Sequence, residues 1–195
     1  MTKVIVFDYG GVITPLGPVR LWINKNLNSN DEKILLFKEK THKWDLGELG
    51  LKEVYETLSY VTGVAPDLIW STFFEKSLLN NEIVDLIKKL KRHYKIILFS
   101  NHCGELLRRL LEKHQIRDLF DEVIISSEHK MRKPDTKFFE LLVKKSGVNK
   151  DEIIFIDDHE KNIEAANAFG IKACQFTDYE QLIKDLKAEG VSTNP

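Results

Sequence analysis

The sequence is short of the features that would place it in several large classes. Its two cysteines, Cys103 and Cys174, stand alone, with no CxxC pair and no metal-ligand spacing. That excludes a disulfide framework or a thiolate metal site, and makes a reduced, cytoplasmic setting the expectation. Long apolar runs are missing too: the longest near the start, Val4 to Phe7, is too short for a signal peptide or a membrane span. Charge of one sign is also lacking. The formal net charge is -1, so no global field favours nucleic acid or a membrane surface, and neither is expected as a partner. A P-loop, a GxGxxG, an HExxH, internal repeats and low-complexity tracts are all absent.

What is present is an ordinary globular balance, 43% hydrophobic and 30% charged, over 195 residues. That length suits one sizeable core with a small accessory element. Short, continuous apolar runs mark strands at Val4 to Phe7, Ile96 to Phe99, Val123 to Ile125 and Ile153 to Ile156, and more weakly at Ala173 to Phe176. Continuity without alternation is the pattern of a parallel sheet covered on both faces. Helical spacing fills the gaps. Ile83, Ile87, Leu90 and Tyr94 share a face, as do Leu106, Leu107, Leu110 and Leu111, and then Phe138, Phe139, Leu142 and Val143. A further helix from about Glu160 is expected to stop at a left-handed Gly170. The alternation predicts a doubly wound, Rossmann-like α/β core.

Residues 15–80 break the rhythm with helix-like segments at Trp22 to Leu27, Ile34 to Phe37, Leu51 to Leu58 and Leu68 to Phe74. They read as a helical cap inserted after the first strand, leaving residues 1–14 and 81–195 as the core. The basic cluster from Lys88 to Lys95 reads as a solvated helix face.

Polar groups follow four of the strands: Asp8, then Ser100 with Asn101, then Lys133, then Asp157 with Asp158. Any one alone is an ordinary turn, cap or surface residue. Together, at the carboxyl ends of successive strands, they converge on the crevice where open α/β sheets bind ligands. Three carboxylates crowded there repel one another unless a cation joins them, and an all-oxygen ligand set suits magnesium. A lysine and a hydroxyl opposite the ion would hold phosphate oxygens, with backbone N–H groups of the turn after Asp8 adding to the cradle. Asp8 is left as a nucleophile.

These motifs resemble the haloacid dehalogenase superfamily, whose signature reads here as VIVFDYGGV, IILFSN, MRKPD and IIFIDDHEKNIEAANAFGI. MRKPD and the last motif are most similar to bacterial sugar-phosphate phosphatases of the glucose 1-phosphate type. The resemblance implies that Asp8 is nucleophile and metal ligand, with the Gly10 carbonyl and Asp158 completing a Mg2+ site and Asp157 either a further ligand or a support behind the ligands. It implies that Ser100 and Asn101 bind the phosphoryl group and that Lys133 neutralises its charge. The expected activity is hydrolysis of a small soluble phosphate ester, with a sugar 1-phosphate as candidate, by a monomeric enzyme.

One departure is notable: the family's usual second Asp, the general acid and base, is Gly10 here. Tyr9, His102 and His159 are candidate substitutes. In the cap, Trp44, Asp45 and Glu48 are candidates for facing the pocket, with core or turn roles as alternatives. The alternative activities are a metal-independent 2-haloacid dehalogenase, disfavoured by the paired acids, and a phosphate-binding protein without turnover. A response-regulator receiver has the same inventory in a different order, with its paired acids first.

Overall fold

The computed structural model describes residues 1–15, 18–28 and 31–193. Residues 16–17 and 29–30 of the expected cap, and 194–195 of the core, lie outside the described residues. Each expected strand is present: β1 (Val4–Phe7), β2 (Lys95–Ser100), β3 (Glu122–Ile125), β4 (Ile153–Asp157) and β5 (Lys172–Gln175). They form one parallel sheet in the order β3-β2-β1-β4-β5. β1 is therefore central, and the chain winds first to one side of it and then to the other. That reversal opens a crevice beyond the carboxyl ends of β1 and β4.

Side chains of a strand point alternately to the two faces, and each face has its own apolar cover. Ile5, Phe7, Leu98 and Ile156 join the cluster that contains Ile83 and Leu107, from α4 (Asn81–Leu90) and α5 (Gly104–Lys113). Val4, Val6, Phe99 and Phe155 join Phe138 and Ala166, from α7 (Thr136–Ser146) and α8 (Glu160–Phe169). Burial on both sides explains the unbroken apolar runs, each such side chain contributing roughly 1.5–3 kcal/mol. The short α6 (Ser126–His129) follows β3, and α9 (Tyr179–Ala188) closes the chain. Gly170 ends α8 at φ +96°, the left-handed stop expected from its position.

Between β1 and α4 lie α1 (Pro18–Asn26), α2 (Glu32–Asp45) and α3 (Leu51–Thr62). A 3-10 turn at Pro66–Leu68 and a π-helical turn at Trp70–Phe74 replace the single helix expected over Leu68 to Phe74. Arg109 lies over the Trp70 ring, 3.6 Å from its centroid, and ties that turn to α5. Two further boundaries differ from expectation. α4 stops at Leu90, so Tyr94 belongs to the turn leading into β2 rather than to the helix face. Phe176 lies just past β5 and donates its N–H to the Asp157 carbonyl. No helix among the described residues is long and apolar enough to cross a membrane.

Candidate active site

Asp8 follows β1 directly and is anchored by its N–H donating to the Ile156 carbonyl at 2.9 Å. Its carboxylate Oδ1 accepts from the Tyr9 N–H at 2.7 Å and pairs with Lys133 Nζ at 3.1 Å. Lys133 is 1% exposed, an unusual burial for a lysine, and donates to Asp157 Oδ2 at 2.6 Å and to the Phe99 carbonyl at 3.0 Å. Its ammonium also lies over the Phe99 and Phe155 rings. Lys133 stands in the loop after α6. The structure carries it from that loop beneath the ends of β1, β2 and β4.

Two residues brought to this centre are also tied to partners within the protein. Asn101 makes a reciprocal pair with the Lys133 main chain, its Nδ2 donating to the carbonyl at 2.9 Å and its Oδ1 accepting from the N–H at 2.8 Å. Its carboxamide thus holds the lysine loop. Asp157, fully buried, has both oxygens engaged. Oδ2 accepts from Lys133 and Asn162, and Oδ1 from the His159 N–H and Asn162. Asn162, in the first turn of α8, had not been identified from the sequence. Its spacing five residues after Asp157 at a helix start was the available signal.

Asp158 is half-buried and lies against the turn after Asp8. A Cβ at Gly11, which sits at φ +78°, would fall 2.3 Å from its Oδ2. Glycine is thus needed there both for the backbone angle and for the approach of the carboxylate. Gly10 is the opposite case, since a Cβ there meets nothing within 4 Å. Oxygen atoms of Asp8, Asp157 and Asp158 all lie within 4.8 Å of one another. Lys133 offsets one of three negative charges. Burial, outweighing Lys133 and reinforced by Asp157, raises Asp8 from 3.8 to about 6. Burial and repulsion from Asp157 also raise Asp158. A hard divalent cation fits this under-neutralised, all-oxygen set.

The same cavity, about 870 Å³, is lined by Asp8, Ser100, Asn101, Lys133 and Asp158, and also by Trp44 and Asp45 at the end of α2. Glu48 is exposed and lies outside the lining. Asp45 is 3% exposed and pairs with Arg132 at 3.1 Å. Arg132 also reaches His42, so the residue before Lys133 is joined to α2. Among the candidate replacement acids, Tyr9 has a buried, unpartnered hydroxyl whose pKa burial pushes upward. His102 faces the cavity with Nδ1 against the Cys103 carbonyl, and burial holds it below the usual imidazole range. His159 is exposed at the rim.

Burial also carries Asp45 up to about 7, Arg132 opposing incompletely. A carboxyl raised on folding binds its proton more tightly in the native state than in the unfolded chain. Its contribution to stability is complete below pH 3.8 and is lost as pH climbs to the raised value. The metal-free protein is therefore expected to lose stability between about pH 4 and 7, by on the order of 3 kcal/mol for Asp8 and 4 kcal/mol for Asp45. Melting temperature against pH, compared with Asp45→Asn, isolates the Asp45 share. An identical pH dependence in the two proteins would refute it.

The family described as haloacid dehalogenase-like hydrolase matches residues 68–176, which contain Ser100, Asn101, Lys133, Asp157 and Asp158; Asp8 and Gly10 precede that range. A sesquiterpene phosphatase of Aspergillus oryzae is 27% identical over 180 residues, covering 90% of either chain. A D-ribitol-5-phosphate phosphatase of Bacteroides thetaiotaomicron is 26% identical over 195 residues, covering 90% of this chain and 92% of its own. A solved haloacid dehalogenase-family enzyme from the same bacterium, in complex with magnesium and inorganic phosphate, superposes with a TM-score of 0.73 at 22% identity, covering 93% of this chain and 99% of that one. By the match across more than half its length, this chain belongs to the haloacid dehalogenase-like hydrolases.

Proposed function

We propose that the protein is a magnesium-dependent phosphomonoesterase that works through an aspartyl-phosphate on Asp8. The observation that carries the reading is the buried Lys133, set between Asp8 and Asp157 beside the carboxylate of Asp158. A cation and an acid cluster so arranged suit a dianionic phosphate better than a neutral or singly charged substrate. The two phosphatase relatives support the same chemistry.

In this reading an Asp8 oxygen attacks phosphorus, and the ester oxygen leaves with the electrons of the P–O bond and takes up a proton. Water then attacks the aspartyl-phosphate, restoring Asp8 and releasing inorganic phosphate. Lys133 offsets charge on Asp8 and on the transferring group, and the Ser100 hydroxyl holds one of its oxygens. Asn101 and Asp157 act by fixing Lys133. Asp8, the Gly10 carbonyl and Asp158 would hold magnesium, which when bound supplies charge neutralisation for the phosphoryl oxygens. Residues 15–80 serve as the cap, joined to the core through Asp45 and Arg132, and keep water from the site.

The experiment is hydrolysis of p-nitrophenyl phosphate by the purified protein. EDTA is expected to abolish turnover and magnesium to restore it. Undiminished activity in a metal-free preparation, or fluoride release from a haloacid under EDTA, would overturn the assignment. A second expectation concerns Gly10. General acid–base catalysis contributes roughly a hundred- to ten-thousandfold, and the space at Gly10 admits a side chain. Gly10→Asp is expected to raise the turnover of alkyl phosphates by up to about a hundredfold while changing aryl phosphates little. A parent rate already independent of leaving-group pKa would show that the chain has another acid.

A further inference from the structure

The cavity that begins at Asp8 extends well beyond the space a phosphate needs, and its composition changes along the way. At the strand ends it is charged. On the cap side it is lined by the partly exposed Leu27, Phe37 and Trp44, together with Ile23, Ile34, Val54, Leu58 and Phe74, which are buried in the main apolar cluster. Leu106 and Cys103 of the α5 region close the same chamber from the core side, both buried. The polar cap residues that also line the cavity sit differently. Arg20, Asn24, Lys38 and His42 are exposed and form a rim, while of the inner polar groups Asp45 is paired with Arg132 and the Thr41 hydroxyl donates to the Phe37 carbonyl.

We propose that the substrate's body is hydrocarbon: the protein takes the monophosphate of a lipophilic alcohol, with the phosphate at Asp8 and the aliphatic part lying against Leu27, Phe37, Trp44, Ile34 and Phe74. This inference rests on the phosphatase reading for the position of the phosphate. A volume of about 870 Å³ is in the range that encloses a drug-sized molecule, and exceeds the needs of a six-carbon sugar. A sugar phosphate would bring several hydroxyls out of water against isoleucine, leucine and phenylalanine. Each one left without a partner would weaken binding at least about fivefold. A hydrocarbon gains instead, by about fourfold for each methylene removed from water. The sugar 1-phosphate suggested by the sequence motifs is thus a poor match for the chamber, although its phosphate would meet the same strand ends.

The test is calorimetric titration of the Asp8→Asn protein, with magnesium, against butyl, hexyl, octyl and decyl phosphate, each below its critical micelle concentration. A hexose phosphate and inorganic phosphate are titrated alongside. Affinity is expected to rise about fourfold per methylene over at least the first four added carbons and then level off where the chamber ends. The hexose phosphate is expected to bind at least about tenfold more weakly than hexyl phosphate, and inorganic phosphate to displace the whole alkyl series. Leu27→Trp, which narrows the chamber from a partly exposed position, is expected to move the levelling point to a shorter chain. A flat dependence on chain length, a hexose phosphate that binds more tightly than hexyl phosphate, or alkyl binding that phosphate does not displace would overturn the proposal. Turnover of p-nitrophenyl phosphate by the parent protein keeps the two readings apart. Its failure would count against the phosphatase, whereas the chain-length series reads the chamber without any chemistry.

Discussion

Replacing Asp8 by asparagine is expected to lower phosphate-ester turnover by more than about a thousandfold while leaving the fold at least as stable at neutral pH. The first half follows from chemistry, because an amide oxygen is too poor a nucleophile to open the covalent path. The second half follows from the surroundings of Asp8. Its carboxylate is buried, and its pKa of about 6 records that ionisation there is unfavourable despite Lys133 at 3.1 Å. Asparagine keeps the shape and can still accept from the Tyr9 N–H, while the repulsion with Asp157 disappears. A melting temperature equal to the parent's, or a few degrees above it in metal-free buffer, would mark Asp8 as a group whose charge serves catalysis at the expense of stability. Steady-state kinetics and thermal denaturation of the one variant decide both points. Activity within tenfold of the parent would refute the nucleophile, and a large drop in melting temperature would refute the account of its surroundings.

Lys133→Ala is expected to damage function and fold together. Lys133 is the cation shared by Asp8 and Asp157, and Asp157 is completely withdrawn from water. Removing one partner of a buried ion pair leaves the other charge uncompensated, at a cost of about 3–5 kcal/mol. For a chain of this size that corresponds to a fall of about 10 °C or more in melting temperature. Turnover should fall by about a thousandfold, since a charge aimed at the transferring phosphoryl group is lost with it. The double variant Lys133→Ala, Asp8→Asn separates the two effects. It is expected to recover part of the lost stability, because one of the stranded carboxylates is gone, and none of the activity. A Lys133→Ala protein within about 1 kcal/mol of the parent would show that Asp157 is satisfied by Asn162 and the His159 N–H alone.

The sequence by itself determined the sheet and the list of groups at its carboxyl edge. Those properties are local. A strand buried on both faces must be apolar throughout, so runs such as Val4 to Phe7 and Ile153 to Ile156 announce themselves, and the first polar residue after each stands at the edge. The helix stop at Gly170 was legible for the same reason, since its left-handed backbone depends on that residue alone. Where the local signal was poor, at Trp70–Phe74 and after Leu90, the helix boundaries differed from expectation.

Only the tertiary structure decided which partner each polar group meets. The Asn101 carboxamide closes on the Lys133 main chain, and both Asp157 oxygens accept from Lys133, Asn162 and the His159 N–H, pairings that no motif in the sequence announces. Asp45 and Arg132 come together because α2 folds back over a loop far along the chain; the neighbouring His42–Arg132 contact spans 90 positions. The chamber is the extreme case. Ile34, Val54 and Leu58 carry the same apolar signature whether they lie deep in a packed core or border a cavity. Hydrophobic burial is non-directional, so sequence can require those side chains to leave water, while the packing of cap against core determines what they enclose.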